Sequence, residues 1–175
     1  LMLAGIRDIL IIVNQSDIES YKKLLGDGRN FGINLSYDIQ TKSDGIAQAF
    51  IIGKNFIGNS NVSLILGDNI FFGYKFSDLL SKAVKLDNGA LILTNYVKNP
   101  SDFAICELDN HGKIISLEEK PNNPKSNLAV TGLYFYDNNV IKIAEDLKPS
   151  KRGELEITDI NKTYLKNGML NAQYL

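Results

Sequence analysis

Residues 8–13 of the chain read Asp-Ile-Leu-Ile-Ile-Val, a run of apolar, mostly β-branched side chains with no polar alternation. Such a run is typical of a parallel strand covered on both faces, rather than of an antiparallel strand with one face in water. A helix is predicted to follow over residues 18–25, because apolar residues recur at helical spacing between a candidate cap, Asp17, and a candidate stop, Gly26. The chain therefore begins with a strand and helix unit.

The same alternation of strands and helices continues along the chain. Further strands are predicted at residues 35–40, 62–66 and 89–96, and further helices at residues 44–56, with Asp44 as the cap, and 76–85. Strands that alternate with helices imply right-handed crossovers and a mostly parallel sheet. The sequence thus predicts an α/β fold of the Rossmann-like, doubly wound type.

The pattern changes near residue 103. Residues 103–108 and 113–119 read as strands around the turn-rich tetrad Asp-Asn-His-Gly, which indicates an antiparallel hairpin and makes the sheet mixed. The last predicted elements are a strand at 130–136, helices at 138–147 and 157–167, the latter capped near Thr158 and Asp159, and a strand at 170–175. We predict one domain over residues 1–175 with one sheet throughout, apparently truncated at both ends.

The composition excludes several classes of protein. With 175 residues, 44% of them hydrophobic, the chain can bury one core of ordinary size. Its 19 basic and 20 acidic residues include no Lys/Arg run, so polymeric nucleic acid is not an expected partner. Cys106, expected to be buried, and His111, expected to be exposed, are too few for a disulfide or a zinc cluster. No apolar stretch approaches the roughly 20 residues of a membrane helix, so we expect a cytoplasmic protein without membrane contact.

A carboxylate at the end of a predicted buried strand is the sharpest local signal for a site. The segment Leu-Ile-Leu-Gly-Asp-Asn places Asp68 after the strand at 62–66, where ligands gather in open α/β sheets. One carboxylate there can hold Mg²⁺, whose remaining ligands are phosphate oxygens and water. The alternative is that Asp68 only caps the following turn.

Three further segments carry polar groups that suit ligands. Gln40 offers a donor and an acceptor that match a pyrimidine edge, and Gly45 permits close approach of a ring, although a plain helix cap by Asp44 is the commoner interpretation. Glu119 suits sugar hydroxyls, while Lys120 and Arg152 suit phosphate oxygens, although surface charges of this kind are usually only solvated. Gly132 within a predicted strand marks a bulge or a ligand pressed against the backbone. The chain contains no GxxxxGK[ST], GxGxxG or GxSxG motif, which argues against P-loop enzymes, dinucleotide dehydrogenases and α/β-hydrolases.

Seven segments in a fixed order carry a family resemblance. They are LMLAGIRDILII, LLGDG, DGIAQAFIIG, LILGDNIFFG, ISLEEKP, KSNLAVTGLYFYD and RGELEITDIN. Together they closely resemble the glucose-1-phosphate thymidylyltransferase family of sugar nucleotidyltransferases over essentially the whole chain. The resemblance implies the nucleotide-diphospho-sugar transferase fold and transfer of a thymidylyl group from dTTP to glucose 1-phosphate, with Mg²⁺, giving dTDP-glucose and pyrophosphate. It also implies a homo-oligomer.

The resemblance also assigns roles to positions of this chain. The residues that would form the nucleotide pocket are Gln40 and Gly45, against the thymine, and Ile46 and Leu66. Asp68 would bind Mg²⁺. The residues that would surround the sugar are Glu119, Val130, Gly132 and Tyr134, and those that would face its phosphate are Lys120 and Arg152.

Departures from the family pattern leave alternatives open. The Gly-rich triphosphate loop of the family would lie before Leu1 and its second metal carboxylate beyond Leu175, so this segment alone is expected to be impaired. Phe103-Ala104 replaces the usual Tyr-Gly, which removes a hydroxyl near the sugar. The alternatives are a non-catalytic sugar-nucleotide-binding or regulatory module, and a transferase that uses UTP or another sugar phosphate. A glycosyltransferase would usually carry Asp-x-Asp, whereas Asp68 is followed by Asn and Ile.

Overall fold

The computed structural model describes residues 1–175. Its eight strands are β1 (Asp8–Val13), β2 (Asn34–Ile39), β3 (Val62–Ile65), β4 (Ala90–Tyr96), β5 (Ala104–Leu108), β6 (Ile114–Glu119), β7 (Leu128–Tyr136) and β8 (Leu170–Tyr174). Its six α-helices are α1 (Ile18–Leu25), α2 (Gln48–Ile52), α3 (Lys54–Ile57), α4 (Phe76–Ala83), α5 (Val140–Asp146) and α6 (Ile157–Lys166). None of these helices combines the length and the apolar composition that crossing a bilayer requires.

Six strands form a mixed sheet around the long strand β7. The order is β6-β5-β7-β4-β8, and β3 also pairs with β7. Strand β7 is antiparallel to β3, β4 and β5, whereas β4 and β8 are parallel, so four of the six strands run in one direction and β6 and β7 run in the other. The predicted hairpin is confirmed, with Ala104 opposite Glu119.

The prediction of one sheet throughout is wrong. Strands β1 and β2 form a separate parallel sheet, in register from Asp8 opposite Asn34 to Val13 opposite Ile39. A groove of about 830 Å³ lies between β1 and β3, and 15 of the 23 residues that line it are hydrophobic. Because the groove separates these two strands, the second edge of each has no strand partner, and backbone hydrogen bonds do not join the two sheets.

The predicted helices form, but none of the predicted capping side chains caps a helix. Helix α1 starts after Asp17, whose carboxylate accepts a hydrogen bond from the neighbouring Ser16 instead. The helix predicted from Asp44 begins only at Gln48 and is divided into α2 and α3 at Gly53. At the start of α6, the hydroxyl of Thr158 donates to a distant carboxylate. In each case the polar side chain has a partner other than the helix terminus.

A buried aromatic and polar cluster supports β7 from the side of α5 and α6. The rings of Phe50 and Tyr136 meet edge to face at 5.4 Å. The Tyr136 hydroxyl donates to Asn161 Oδ1 at 2.6 Å, and the Tyr164 hydroxyl donates to Asp137 Oδ1 at 2.6 Å. No buried side-chain polar atom is left without a hydrogen bond, so the cluster gives β7 a rigid support.

The lone cysteine and histidine lie as predicted. Cys106 is fully buried in β5, and burial raises the pKa of its thiol to about 12. His111 is exposed in the turn between β5 and β6. Neither residue contributes to the candidate site.

Candidate functional site

The carboxylate of Asp68 is held to β7 by its neighbour Asn69. Asn69 Nδ2 donates to Asp68 Oδ1 at 2.7 Å, and the backbone N–H of Gly132 donates to Asn69 Oδ1 at 3.0 Å. A Cβ built on Gly132 would lie 2.8 Å from three atoms of the Asn69 side chain. Gly132 lies where the register of β7 against β4 shifts, between Tyr134 opposite Ile92 and Val130 opposite Thr94, so the prediction of a bulge is confirmed. In this structure the group against the glycine is the Asn69 side chain.

This arrangement is compatible with Mg²⁺ at Asp68. Asp68 is exposed after the carboxyl end of β3, and its Oδ2 accepts no hydrogen bond from the protein. No cluster of three or more metal-ligating side chains is present. Mg²⁺ commonly binds through one or two carboxylates together with phosphate oxygens and water. The donor set therefore fits a cation shared with a phosphate ligand.

A second group of polar residues follows β2. Gln40 continues the pairing of β2 with β1, since its backbone N–H donates to Val13 O at 2.9 Å. Its side-chain Nε2 donates to Gly45 O at 3.1 Å and to Gln48 Oε1 at 2.8 Å. Gln48 Nε2 in turn donates to Asp44 Oδ2 at 3.1 Å. Gln48, which the sequence does not single out, thus holds both Gln40 and Asp44.

Backbone hydrogen bonds connect the Gln40 group to the loop that carries Arg152. Leu155 N donates to Asp44 O at 2.7 Å, and Ala47 N donates to Leu155 O at 3.2 Å. Gly45 has a φ of 103°, and a Cβ there would collide with the backbone of Leu155. The close approach that Gly45 permits in this structure is therefore to Leu155. Residues more than 100 positions apart are brought together in this way.

Arg152 lies among three carboxylates. Its Nη2 is 2.8 Å from Glu156 Oε2, 3.3 Å from Glu154 Oε2 and 3.9 Å from Glu119 Oε1. The hydrogen bond to Glu156 raises the pKa of Arg152. The Arg152 side chain is 43% exposed, so its guanidinium remains accessible to a ligand. Three hydrogen bonds to Glu156 hold the guanidinium of Arg152 in one position.

Glu119 has a second, buried partner. Thr158, only 1% exposed, donates its hydroxyl to Glu119 Oε2 at 2.5 Å. This bond ties the end of β6 to the start of α6 and fixes one carboxylate oxygen. The other oxygen faces Arg152. Thr158, predicted only as a cap, is therefore a support for the candidate sugar-binding carboxylate.

Lys120 makes no salt bridge, unlike the acidic residues around it. It has a φ of 41°, which is unusual for a residue other than glycine, and its N–H donates to Phe103 O at 3.0 Å. Glu119 and Lys120 form no salt bridge with each other, although they are adjacent in the sequence. Lys120 presents an exposed, unpaired ammonium group next to Glu119 in the sequence.

The remaining candidate residues differ in exposure. Val130 and Tyr134 are 7% and 4% exposed, so they belong mainly to the core. Burial, with the nearby charge of Glu119, raises the pKa of Tyr134 well above its ordinary value. Ile46 and Phe103 are exposed, whereas Leu66, Ala104 and Gly132 are partly or fully covered.

The site falls into two parts in this structure. One part contains Lys120 and Arg152 together with the polar residues Gln40, Asp44 and Gln48, around the two segments that the Leu155 hydrogen bonds join. The other part is Asp68, which no hydrogen bond or salt bridge connects with these residues. None of the predicted site residues lines the apolar groove between β1 and β3. The groove belongs to the gap between the sheets, and the polar groups suited to ligands lie elsewhere.

The sequence pattern of the nucleotidyl transferase family matches residues 1–175, the whole chain. The chain belongs to the nucleotidyl transferase family. Among its relatives in this family, the glucose-1-phosphate thymidylyltransferase of Neisseria meningitidis serogroup A is 55% identical over all 175 residues. The chain spans 61% of the length of that relative.

Solved structures of the nucleotidyl transferase family share the fold. A Bacillus anthracis protein described as a glucose-1-phosphate thymidylyltransferase, in complex with a sucrose, has a TM-score of 0.91 and is 42% identical over 100% of this chain and 70% of that chain. A UDP-glucose pyrophosphorylase in complex with UDP-glucose has a TM-score of 0.82 and is 26% identical over 99% of this chain and 74% of that chain. The predicted fold class and family are therefore confirmed.

Proposed function

We propose that the protein transfers a thymidylyl group from dTTP to glucose 1-phosphate, releasing pyrophosphate and forming dTDP-glucose. The names of the relatives support this reaction and these substrates. The structural observation that carries the proposal is the backbone pairing of Leu155 with the segment 44–47. This pairing brings the residues proposed to bind the base, near Gly45, next to the loop of Arg152, which is proposed to bind the sugar phosphate. A sugar nucleotide requires both sites to be close together.

In this proposal, the base lies against Gln40 and Gly45, with Ile46 and Leu66 at the sides of the nucleoside. Gln40 and Gly45 are already in contact, since the Gln40 amide donates to the Gly45 carbonyl at 3.1 Å. A pyrimidine presents adjacent donors and acceptors on one edge, which an amide and a backbone segment can match. The base therefore meets groups whose positions are fixed before it binds.

Glu119 accepts sugar hydroxyls in the proposed complex. Its carboxylate is fixed by Thr158 and is still 25% exposed along the side chain. Val130, Gly132 and Tyr134 in β7 complete the sugar pocket. Phe103-Ala104, at the start of β5, lies beside Lys120 and replaces a hydroxyl that the family usually has there. Glucose is the proposed sugar, and this replacement makes the pocket less polar.

Lys120 and Arg152 neutralise the phosphates. Phosphoryl-type transfer depends mainly on positioning the reactants in line and on neutralising charge, with no covalent intermediate on the protein. A sugar-phosphate oxygen attacks the α-phosphorus of dTTP, and the bond to the departing pyrophosphate breaks. Asp68 would hold Mg²⁺, which supplies further neutralisation of phosphate charge when bound.

The proposal is tested by binding and turnover together. Calorimetric titration of the chain with dTDP-glucose should give saturable binding that weakens at least about tenfold in Lys120→Met, since a charge-assisted hydrogen bond is lost. Lys113→Met, which changes an exposed lysine in the β5–β6 turn, is the matched control. Pyrophosphate release from dTTP and glucose 1-phosphate is then measured on the full length that the gene encodes. Tighter binding of UTP than of dTTP, or no binding of either, would refute the thymidylyl assignment.

The same experiment decides the alternative of a non-catalytic module. The observation in favour of a module is that Asp68 shares no hydrogen bond with the other candidate groups. A module would bind dTDP-glucose but release no pyrophosphate. We further propose a cytoplasmic homo-oligomer that supplies dTDP-rhamnose and polysaccharide synthesis, and light scattering after size exclusion would measure the oligomeric state.

A further inference from the structure

The side-chain amide of Gln40 is the end of a relay of hydrogen bonds that starts at a carboxylate. Asp44 Oδ2 accepts from Gln48 Nε2 at 3.1 Å, and Gln48 Oε1 accepts from Gln40 Nε2 at 2.8 Å. All three side chains are partly buried. The relay lies between β2 and the start of α2 and involves one residue, Gln48, with no role in the proposed function so far.

The relay fixes the direction of each amide in turn. An ionised carboxylate offers only acceptors, so Gln48 must turn its NH₂ group toward Asp44. The oxygen of Gln48 therefore faces Gln40, and Gln40 must turn its own NH₂ group toward Gln48. The carbonyl of Gly45, which accepts from Gln40 Nε2 at 3.1 Å, demands the same orientation. Both neighbours of the Gln40 amide are acceptors, and a flipped amide would set oxygen against oxygen.

The consequence is a free acceptor on Gln40. Both N–H groups of Nε2 are engaged, whereas no protein group donates to Oε1. Oε1 is accessible to solvent, because no buried side-chain polar atom lacks a partner. The backbone N–H of Gly45 donates to no protein group either. Gln40 thus offers a ligand one acceptor and no donor.

We infer that Gln48 and Asp44 are positioning residues that set base specificity by orienting the acceptor of Gln40 toward the N3 position of a pyrimidine. The inference rests on the proposed function, which places the base at Gln40. Thymine and uracil carry a hydrogen on N3 and can donate to Oε1. Cytosine has a lone pair at N3 and would face Oε1 acceptor to acceptor. The relay therefore selects thymine and uracil together and rejects cytosine.

The expected discrimination follows from one hydrogen bond gained or lost. Gain of one hydrogen bond raises the affinity for a nucleotide by a few-fold to about tenfold. With dCTP, Gln40 Oε1 is also left without a donor at a partly buried site, which increases the difference between the two nucleotides. We expect the chain to bind dTTP at least about tenfold more tightly than dCTP. 3-Methylthymidine triphosphate, which lacks the N3 hydrogen, should bind as weakly as dCTP.

A pair of variants tests the relay without removing a ligand contact. Asp44→Asn lets residue 44 donate or accept, so Gln48 can reverse and one of the two acceptors that orient the Gln40 amide is lost. The Gly45 carbonyl still holds the other N–H of Gln40, so the preference for dTTP over dCTP should fall only in part, by about threefold. Asp44→Asn with Gln48→Glu restores an acceptor that faces Gln40 and should restore the wild-type preference. Asp78→Asn, an exposed carboxylate without hydrogen bonds in the structure, controls for the lost charge.

The measurement is calorimetric titration of each variant with dTTP and dCTP in Mg²⁺, with thermal unfolding as the check on folding. A lower preference in Asp44→Asn that returns in the double variant supports the inference, because a purely structural role would change stability and leave the ratio of affinities unchanged. An unchanged ratio in Asp44→Asn, while the wild-type chain prefers dTTP, overturns the relay. Equal, weak binding of all nucleotides by the wild-type chain overturns the proposed function itself, so the two failures are distinguishable.

Discussion

Replacement of Thr158 by valine removes one buried hydroxyl and keeps the shape of the side chain. The hydroxyl donates to Glu119 at 2.5 Å, and Thr158 is 1% exposed. A hydrogen bond to a charged group contributes about 1.5–3 kcal/mol to stability. Because the Glu119 side chain is 25% exposed, water replaces part of the lost donor. We therefore expect Thr158→Val to lower the free energy of unfolding by about 1–2 kcal/mol, equivalent to about 2–8 °C in Tm for a chain of this size.

The assay pairs thermal unfolding with titration of dTDP-glucose. Thr158→Val should weaken binding of dTDP-glucose and leave binding of dTTP unchanged, because only the sugar is proposed to contact Glu119. Thr158→Ser keeps the hydroxyl and should retain nearly wild-type affinity. If Thr158→Val loses stability but binds dTDP-glucose as the wild type does, Thr158 supports only the fold. If it changes neither quantity, the hydrogen bond to Glu119 has no energetic role.

Three other predictions concern single contacts. Gly132→Ala should push the Asn69 side chain away from β7, and since that side chain can move, the loss of stability should stay below about 1 kcal/mol while Mg²⁺-dependent binding of dTTP weakens. Burial raises the pKa of Glu156, but the hydrogen bonds from Arg152 and Ser150 outweigh burial and lower the pKa below its ordinary value of 4.5. Glu156 therefore stabilises the fold above that pH, and this contribution is lost as the pH falls through the lower pKa of the folded state. Glu156→Gln should therefore flatten the dependence of Tm on acid pH, and an unchanged slope would contradict the ion pair. Tyr164→Phe removes one of the two donors to Asp137 Oδ1, leaving the Asn139 N–H, and should lower the free energy of unfolding by about 1–3 kcal/mol in urea titrations.

Local patterns predict the elements of this fold well and their assembly less well. The run at residues 8–13 and the helix after it match β1 and α1, because periodicity and a stop glycine act over a few residues. Which strands pair is decided by the whole chain. Strand β1 reads as part of a continuous parallel sheet, yet it pairs only with β2, across from the groove that separates it from β3. Nothing in the strand's own sequence encodes that gap.

The same distinction applies to the candidate site. The family motifs single out the groups expected to touch ligands, whereas the supporting residues Asn69, Gln48 and Thr158 act through contacts that the sequence does not reveal. Thr158 lies 39 positions from Glu119, and Asn69 lies 63 positions from Gly132. Each of these polar side chains is typical of a cap or a turn, and a tertiary partner takes the place of the local one.

The two strand edges that face the groove affect how the chain behaves in concentrated solution. Each presents a row of amide and carbonyl groups, and such rows accept any extended segment that comes near. At high concentration such open edges favour pairing between copies of the chain, so we expect association to rise with concentration in light-scattering measurements.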